Sequence, residues 1–376
     1  MIKKLGLQYF KCFENVRLDL KNLNILSGEN ASGKSSFIQS LLTLNQTMHA
    51  NEWSRNLILN GDNVNLGTVS DVIDKVNGRN SIGIYIEDDV NNVTWKFLGE
   101  RSQLSMQVEE VNFNSKTFES PSLLQRLTPP EFSSEDIITT LSNMTYIKAE
   151  RCGPRDFYAL TDKEERRLTS AGEHSIALLF NRLDELVSDE LRLEQVPPTL
   201  FQQVQGRMRV FFPGFEYKIE PLEKINAVTL GIRTSEDTGF HRPMNVGFGL
   251  TQILPIIISC LTAKKGDLLI IENPEVHLHP KGQALMGEFL AEAASTGVQI
   301  IIESHSDHVL NGIRRAVKSK KIISNDIAFY FFNNRAFSDS QIISPQIDDN
   351  GRIDHWPNGF FDQFDKDISF LAGWDS

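Results

Sequence analysis

A chain of 376 residues, 40% of them hydrophobic, has room for two or three domain-sized units, or for one large α/β domain with an insertion and a sizeable core. Its net charge of −11 argues against a broad, permanent nucleic-acid surface and leaves only a local basic patch for such a partner. The longest apolar run, "ILPIIISCL" at 253–261, is too short to span a bilayer, and "MIKKLGLQYF" lacks a signal-peptide core, so a cytoplasmic protein with no membrane partner is expected.

The first 27 residues alternate in "KKLGLQYFKCF" and "VRLDLKNLNIL", which predicts two or three strands, the last aimed at a glycine-rich turn. Phe37, Ile38, Leu41, Leu42, Leu44 and Met48 then recur at helical spacing. Short alternating runs from about 81 to 118 predict an antiparallel meander, broken by prolines 121, 129 and 130. After a strand in "MTYIKAER", the apolar spacing of Ile176, Leu179, Phe180, Leu183, Leu186 and Val187 predicts a helix that Pro197 and Pro198 end. Residues 207–245 read as strand-rich. From Gly247 helices alternate with strands at 267–271, 298–303 and 327–333, the pattern of parallel βαβ units. The chain thus divides into an amino-terminal lobe at 1–120, an insertion at 121–240, a carboxyl-terminal lobe at 241–335 and a tail at 336–376. Cys12, Cys152 and Cys260 are too scattered for a disulfide frame or a zinc site.

Three stretches carry chemistry. "GENASGKSS" places Gly28, Gly33, Lys34 and Ser35 between a strand and a helix, the setting of a phosphate loop: backbone N–H groups wrap phosphate oxygens, Lys34 reaches the β- and γ-phosphates, and Ser35 ligates Mg²⁺. "LLIIENPEVHLHP" is an apolar strand delivering Glu272 to the same end of the sheet, where a second metal-side acid is needed. "IIIESHSDH" ends another strand at His305, whose neutral imidazole can bond a γ-phosphate or an attacking water, with Ser306 or Asp307 to cap the next helix. The spacing of His277, His279, His305 and His308 does not point to a transition-metal site.

These motifs, in this order, resemble ABC-class ATPases of the RecF/SMC/OLD group, in particular compact bacterial ATPases with an "ENPE-x-HLHP" Walker B region and no coiled-coil arms. The resemblance covers 1–48 and 245–333. It implies an α/β fold of the ABC-type P-loop NTPase head: a mixed sheet, an antiparallel meander lobe and a helical insertion. It also implies ATP and Mg²⁺ as cofactors, and a head-to-head homodimer or higher even oligomer in which the phosphate loop of one chain and the signature helix of the other enclose ATP. By the same resemblance Asn30, Gly33, Lys34, Ser35 and Ser36 hold nucleotide, joined by Gly249 and Thr251 of a diverged signature, "NVGFGLTQILPIIIS". Ser35 and Glu272 hold the metal, Glu272, Asn273, Glu275 and His305 are catalytic, and Glu275 lies toward the facing subunit. Asn273 stands where the family often has a catalytic glutamate, so hydrolysis is expected to be slow.

The expected function is an ATP-driven switch that controls a separately encoded effector protein or a nucleic-acid transaction, in anti-phage defence or genome maintenance. The alternative, an OLD-like nuclease acting on DNA itself, needs clustered metal-binding acids that the short stretch after 333 does not offer. Arg151 and Arg155 read as nucleotide or partner contacts, or as surface ion pairs. The basic run at 314–321 reads as a solvated helix face. The aromatic tail, with Trp356, Phe360, Phe361 and Phe364, reads as finishing a core.

Overall fold

Strands that are apolar on both faces must be buried on both faces, and here they line up side by side. In the computed structural model, which describes residues 1–76, 80–161, 168–333 and 341–374 apart from the side chains at 363–365, one six-stranded sheet runs Ile342–Ile343, Ile327–Phe332, Leu23–Gly28, Gln299–Glu303, Leu268–Glu272 and Thr145–Ile147. All neighbours pair in parallel except the short outer strand Ile342–Ile343. Because side chains alternate across a strand, the two faces feed two cores. Leu269, Ile271, Ile300, Ile302, Phe329 and Phe331 join one, while Leu268, Ile270, Ile301, Ala328, Tyr330 and Phe332 join the other.

The second core is closed by an antiparallel sheet ordered Phe13–Asp19, Lys4–Phe10, Ser81–Glu87, Asn92–Leu98, Ser105–Phe113 and Asn56–Ile58, with Lys116–Glu119 also paired to Ser105–Phe113. The expected meander therefore continues a sheet begun by the amino-terminal hairpin. Between the two sheets lies the helix Lys34–Ala50, twelve of whose residues are buried. The first core is covered by the helices Phe248–Thr262, Pro280–Ser295 and Asp307–Lys318.

The insertion departs from the sequence pattern. The helix expected from Ile176 onward spans only Ser175–Asn181; Leu186 is 67% exposed and bridges to Thr199 instead. Pro197 and Pro198 do not stop that helix but precede another, Leu200–Phe211, whose Leu200, Val204 and Met208 are buried at four-residue steps. The strand-rich region begins only at Glu216, with Glu216–Pro221 and Ala227–Arg233 in a small sheet beside Tyr158–Ala159. Proline disfavours helix at the residue before it and not at those after it, so a proline pair opens a helix as readily as it ends one.

In the tail, Phe360 is fully buried among Phe329, Phe331, Trp356 and Phe361, so an aromatic does finish a core there. The Phe364 side chain lies outside the described ones. The basic run is occupied within the chain: Arg315 pairs with Glu288, Lys321 with Glu288 and Glu292, and Arg314 donates to the Gly351 carbonyl. No helix among the described residues is long and apolar enough to cross a membrane.

Candidate functional site

The phosphate loop forms because its backbone can turn where side chains would obstruct. Gly28 and Gly33 have φ of 131° and 116°, and a Cβ on Gly28 would sit 2.2 Å from the Phe332 carbonyl oxygen. The turn leads into the helix Lys34–Ala50, whose free N–H groups and dipole favour an anion at its start. Lys34 Nζ lies across the loop, donating to the Gly28 and Glu29 carbonyls at 3.0 and 2.7 Å. Burial lowers its pKa, against the raising pull of Glu303 and Glu29.

Two acids end adjacent strands in register, Glu272 opposite Glu303. The strand Gln299–Glu303 lies between the phosphate-loop strand and the strand of Glu272, so Glu303 is the nearer acid. Ser35 Oγ is 3.2 and 3.4 Å from the two Glu303 carboxylate oxygens, so a second acid, Glu303, stands at this end of the sheet beside the expected Glu272. Glu272 Oε2 accepts from the Ala149 N–H at 3.2 Å and is bonded by the Tyr146 side chain. Burial raises the Glu303 pKa above the usual carboxylate value; Lys34 opposes the shift, and Glu272 and Glu275 add to it. Glu303 is thus a site residue that sequence reasoning missed. Its signal was its place at a strand end beside His305, the same cue that singled out Glu272.

His305 is half exposed, with Nε2 4.0 Å from Glu303 Oε1. Desolvation, and then Lys34, depress its pKa below 6.5, so the ring is neutral at pH 7. The helix after it is capped by Ser306, whose hydroxyl oxygen accepts from the Val309 N–H. Glu275 does not face outward: its Oε1 accepts from the His305 N–H at 3.0 Å, and burial raises its pKa. The reason is the turn at 272–276. Asn273 takes a left-handed φ of 44° and its N–H donates to the Glu303 carbonyl at 2.8 Å, with Glu275 turned back toward the His305 backbone.

At the start of the helix Phe248–Thr262, the candidate signature, the two glycines differ. A Cβ on Gly249 would lie 2.6 Å from the His277 carbonyl oxygen, whereas one on exposed Gly247 would meet nothing within 4 Å. Thr251 is buried, its hydroxyl donating to the Phe248 carbonyl at 3.0 Å. Gly247 and the 45% exposed Phe248 are therefore what the helix start presents outward, in place of Gly249 and Thr251. Arg151 is neither a surface ion pair nor an outward contact: it is buried, and its guanidinium donates to the Glu272 and Asn273 carbonyls, both at 2.9 Å. The tail reaches the site as well. Gly359, Phe361, Asp362 and Lys366 wall a cavity of about 210 Å³ together with Gly28 and His305.

Comparison with known proteins accords with this geometry. Residues 23–311 match the family model described as "AAA domain, putative AbiEii toxin, Type IV TA system". The chain belongs to that family. Residues 322–371, which include most of the tail, match a second model, "Protein of unknown function (DUF3696)". No curated protein matches. Among solved structures the chain is similar to an Smc head bound to the C-winged helix domain of ScpA, with 13% identity, a TM-score of 0.53, and 92% of this chain and 98% of that one covered. It is similar too to an Smc head with an extended coiled coil bound to the C-terminal domain of ScpA derived from Pyrococcus furiosus, with 12% identity, a TM-score of 0.52 and both chains fully covered. At such identities the likeness speaks for the fold. The fold is that of an ABC-class P-loop ATPase head.

The donor set suits Mg²⁺. A serine hydroxyl and the Glu303 carboxylate meet beside the phosphate loop with Glu272 in register on the next strand, and among the described residues no group of three or more His, Cys, Asp or Glu side chains is arranged to hold a metal ion by itself. Mg²⁺ is commonly held in this way, by one or two carboxylates plus substrate phosphates and water.

Proposed function

We propose that the protein is an ATP-dependent molecular switch that pairs with a second copy around Mg-ATP, hydrolyses it slowly, and passes the nucleotide state to a separate partner. What supports this most is that the phosphate loop stands beside Ser35 and two strand-end acids, Glu303 and Glu272, while the residue after Glu272 is Asn273 and not a carboxylate. An asparagine amide can hold a water but cannot take its proton at neutral pH. Asn30, Lys34, Ser35 and Ser36 would hold the phosphates, and Ser35, Glu303 and Glu272 the metal, which when bound neutralises charge on the β- and γ-phosphates. His305, neutral and beside Glu303, would sense the terminal phosphate.

The pairing face would be the outward end of the signature helix. Gly247 is open there, and Phe248, Met244 and Phe157 are about half exposed, an apolar rim suited to burial against a second copy. The two similar Smc heads are described as bound to ScpA domains, which favours a protein effector for this chain too; anti-phage defence or genome maintenance is the proposed setting. Purified protein should bind Mg-ATP and release phosphate at a low rate that Lys34→Ala abolishes. No ATP binding, or cleavage of plasmid DNA by the protein alone, would overturn the reading.

A further inference from the structure

Arg151 is buried, yet it makes no side-chain ion pair at hydrogen-bond distance among the described residues. Its guanidinium spans two successive carbonyls, Glu272 and Asn273 at 2.9 Å each, and reaches the Lys148 carbonyl at 3.5 Å. Its Nε is buried without a hydrogen-bond partner. A cation held in this way is costly for stability alone, because burial without a carboxylate at contact distance leaves the desolvation only partly compensated. Burial pushes its pKa down to about 10, with Glu275 and then Glu272 opposing, so it remains charged at neutral pH.

What the arginine holds is the turn that carries the chemistry. Asn273 sits in the left-handed region, at φ 44°, and His277 four residues on does the same at φ 64°. Such backbone persists only where its surroundings fix it. The surroundings come from the signature helix as well as from Arg151. Buried Gln252 donates its amide to the Arg151 and Cys152 carbonyls at 3.4 and 3.3 Å. Gly249 backs onto the His277 carbonyl, and the Phe248 ring meets the His277 ring edge-on at 4.8 Å. A Cβ on Gly153 would lie 3.2 Å from the Phe248 ring, so this loop fits under the helix start.

We infer that Arg151 is a positioning residue that, with Gln252, locks the start of the signature helix to the 272–277 turn. Contact made by a second copy at Gly247 and Phe248 is thereby felt at Asn273 of the same chain. This consequence rests on the pairing proposed above; the lock itself does not. Arg151 reaches the two carbonyls from separate nitrogens of a fixed fork, Nη1 to Glu272 and Nη2 to Asn273, and the single, differently placed Nζ of a lysine does not reproduce that fork, so Arg151→Lys loosens the lock while keeping the charge.

The test joins two readouts on the full chain: wild type, Arg151→Lys, Gln252→Leu and the double variant. Without nucleotide, amide hydrogen exchange in peptides covering 273–278 should rise at least tenfold in Arg151→Lys, with the 28–36 loop and the central strands unchanged. With Mg-ATP, turnover should fall at least tenfold while the ATP dissociation constant stays within twofold, and the double variant should be no worse than Arg151→Lys, because both act in one chain of contacts. Unchanged exchange at 273–278, a uniform rise across the core, or equal losses in affinity and turnover would overturn the inference. A local rise in exchange in a protein whose wild type neither binds nor hydrolyses ATP would leave the lock standing and sink the proposed function instead. Should Arg151→Lys not fold, the same exchange measurement on Gln252→Leu decides.

Discussion

Ser35 and Glu303 meet across the site, Oγ to Oε2 at 3.2 Å, and this contact brings the phosphate-loop helix and the adjacent strand end together at one point. Burial raises the Glu303 pKa from 4.5, so between 4.5 and the raised value the folded chain keeps a proton that the unfolded chain has lost. The stability linked to that proton is full below 4.5 and is lost as pH rises through the folded value. Glu303→Gln should therefore melt higher than wild type at pH 8, by on the order of 2 °C, with the gain shrinking as pH falls toward 5. Thermal melts at a series of pH values check it. The same variant should need more Mg²⁺ for ATP turnover.

In the proposed function Asn273 takes the place at which a carboxylate would serve as general base. Asn273→Glu should raise turnover at least ~10-fold, since a positioned base commonly contributes 10²–10⁴-fold. Phosphate release under saturating Mg-ATP measures it. If Asn273→Glu is silent while Glu275→Gln abolishes hydrolysis, the base is Glu275, although its Oε1 is turned to the His305 N–H.

His305 is held neutral by desolvation and by Lys34. Protonation should disable it, so turnover is expected to be level from pH 7 to 8 and to fall below pH 6.5 as the depressed pKa is crossed. His305→Gln should lose that acid limb while retaining part of the activity. Rate profiles of the two proteins, taken in one buffer series, compare them.

Phe360 and the tail helix separate packing from exposure. Phe360→Ala removes a fully buried ring from between Phe329 and Phe331 and should cost about 3–5 kcal/mol, read in denaturant melts. Leu371→Ala, at a side chain 82% exposed, should change stability by less than ~0.5 kcal/mol.

Much of the architecture was legible because its signals are local. Apolar runs announced the buried strands at 268, 299 and 327, and "GENASGKSS" carried its own strand and helix context. Strand order is not local: nothing in the chain tells that Gln299–Glu303 would sit between the phosphate loop and Glu272, so the nearness of Glu303 to Ser35 was not legible. The inward hydrogen bonds of Glu275 and Arg151 were hidden for a similar reason. A charged residue in a loop looks exposed until the left-handed turn at Asn273 folds the segment back on itself. Prolines 197 and 198 misled because the same residue type stops one helix and precedes the next.

The central claim is that two copies close around the nucleotide, and mass in solution tests it most directly. With Mg²⁺ and a non-hydrolysable ATP analogue, the mass per particle should double from its ADP value, toward twice 42.6 kDa if the resting protein is a single chain. Lys34→Ala should stay at the lower mass. A wild-type protein that binds the analogue and keeps the same mass with ATP analogue as with ADP would contradict the switch.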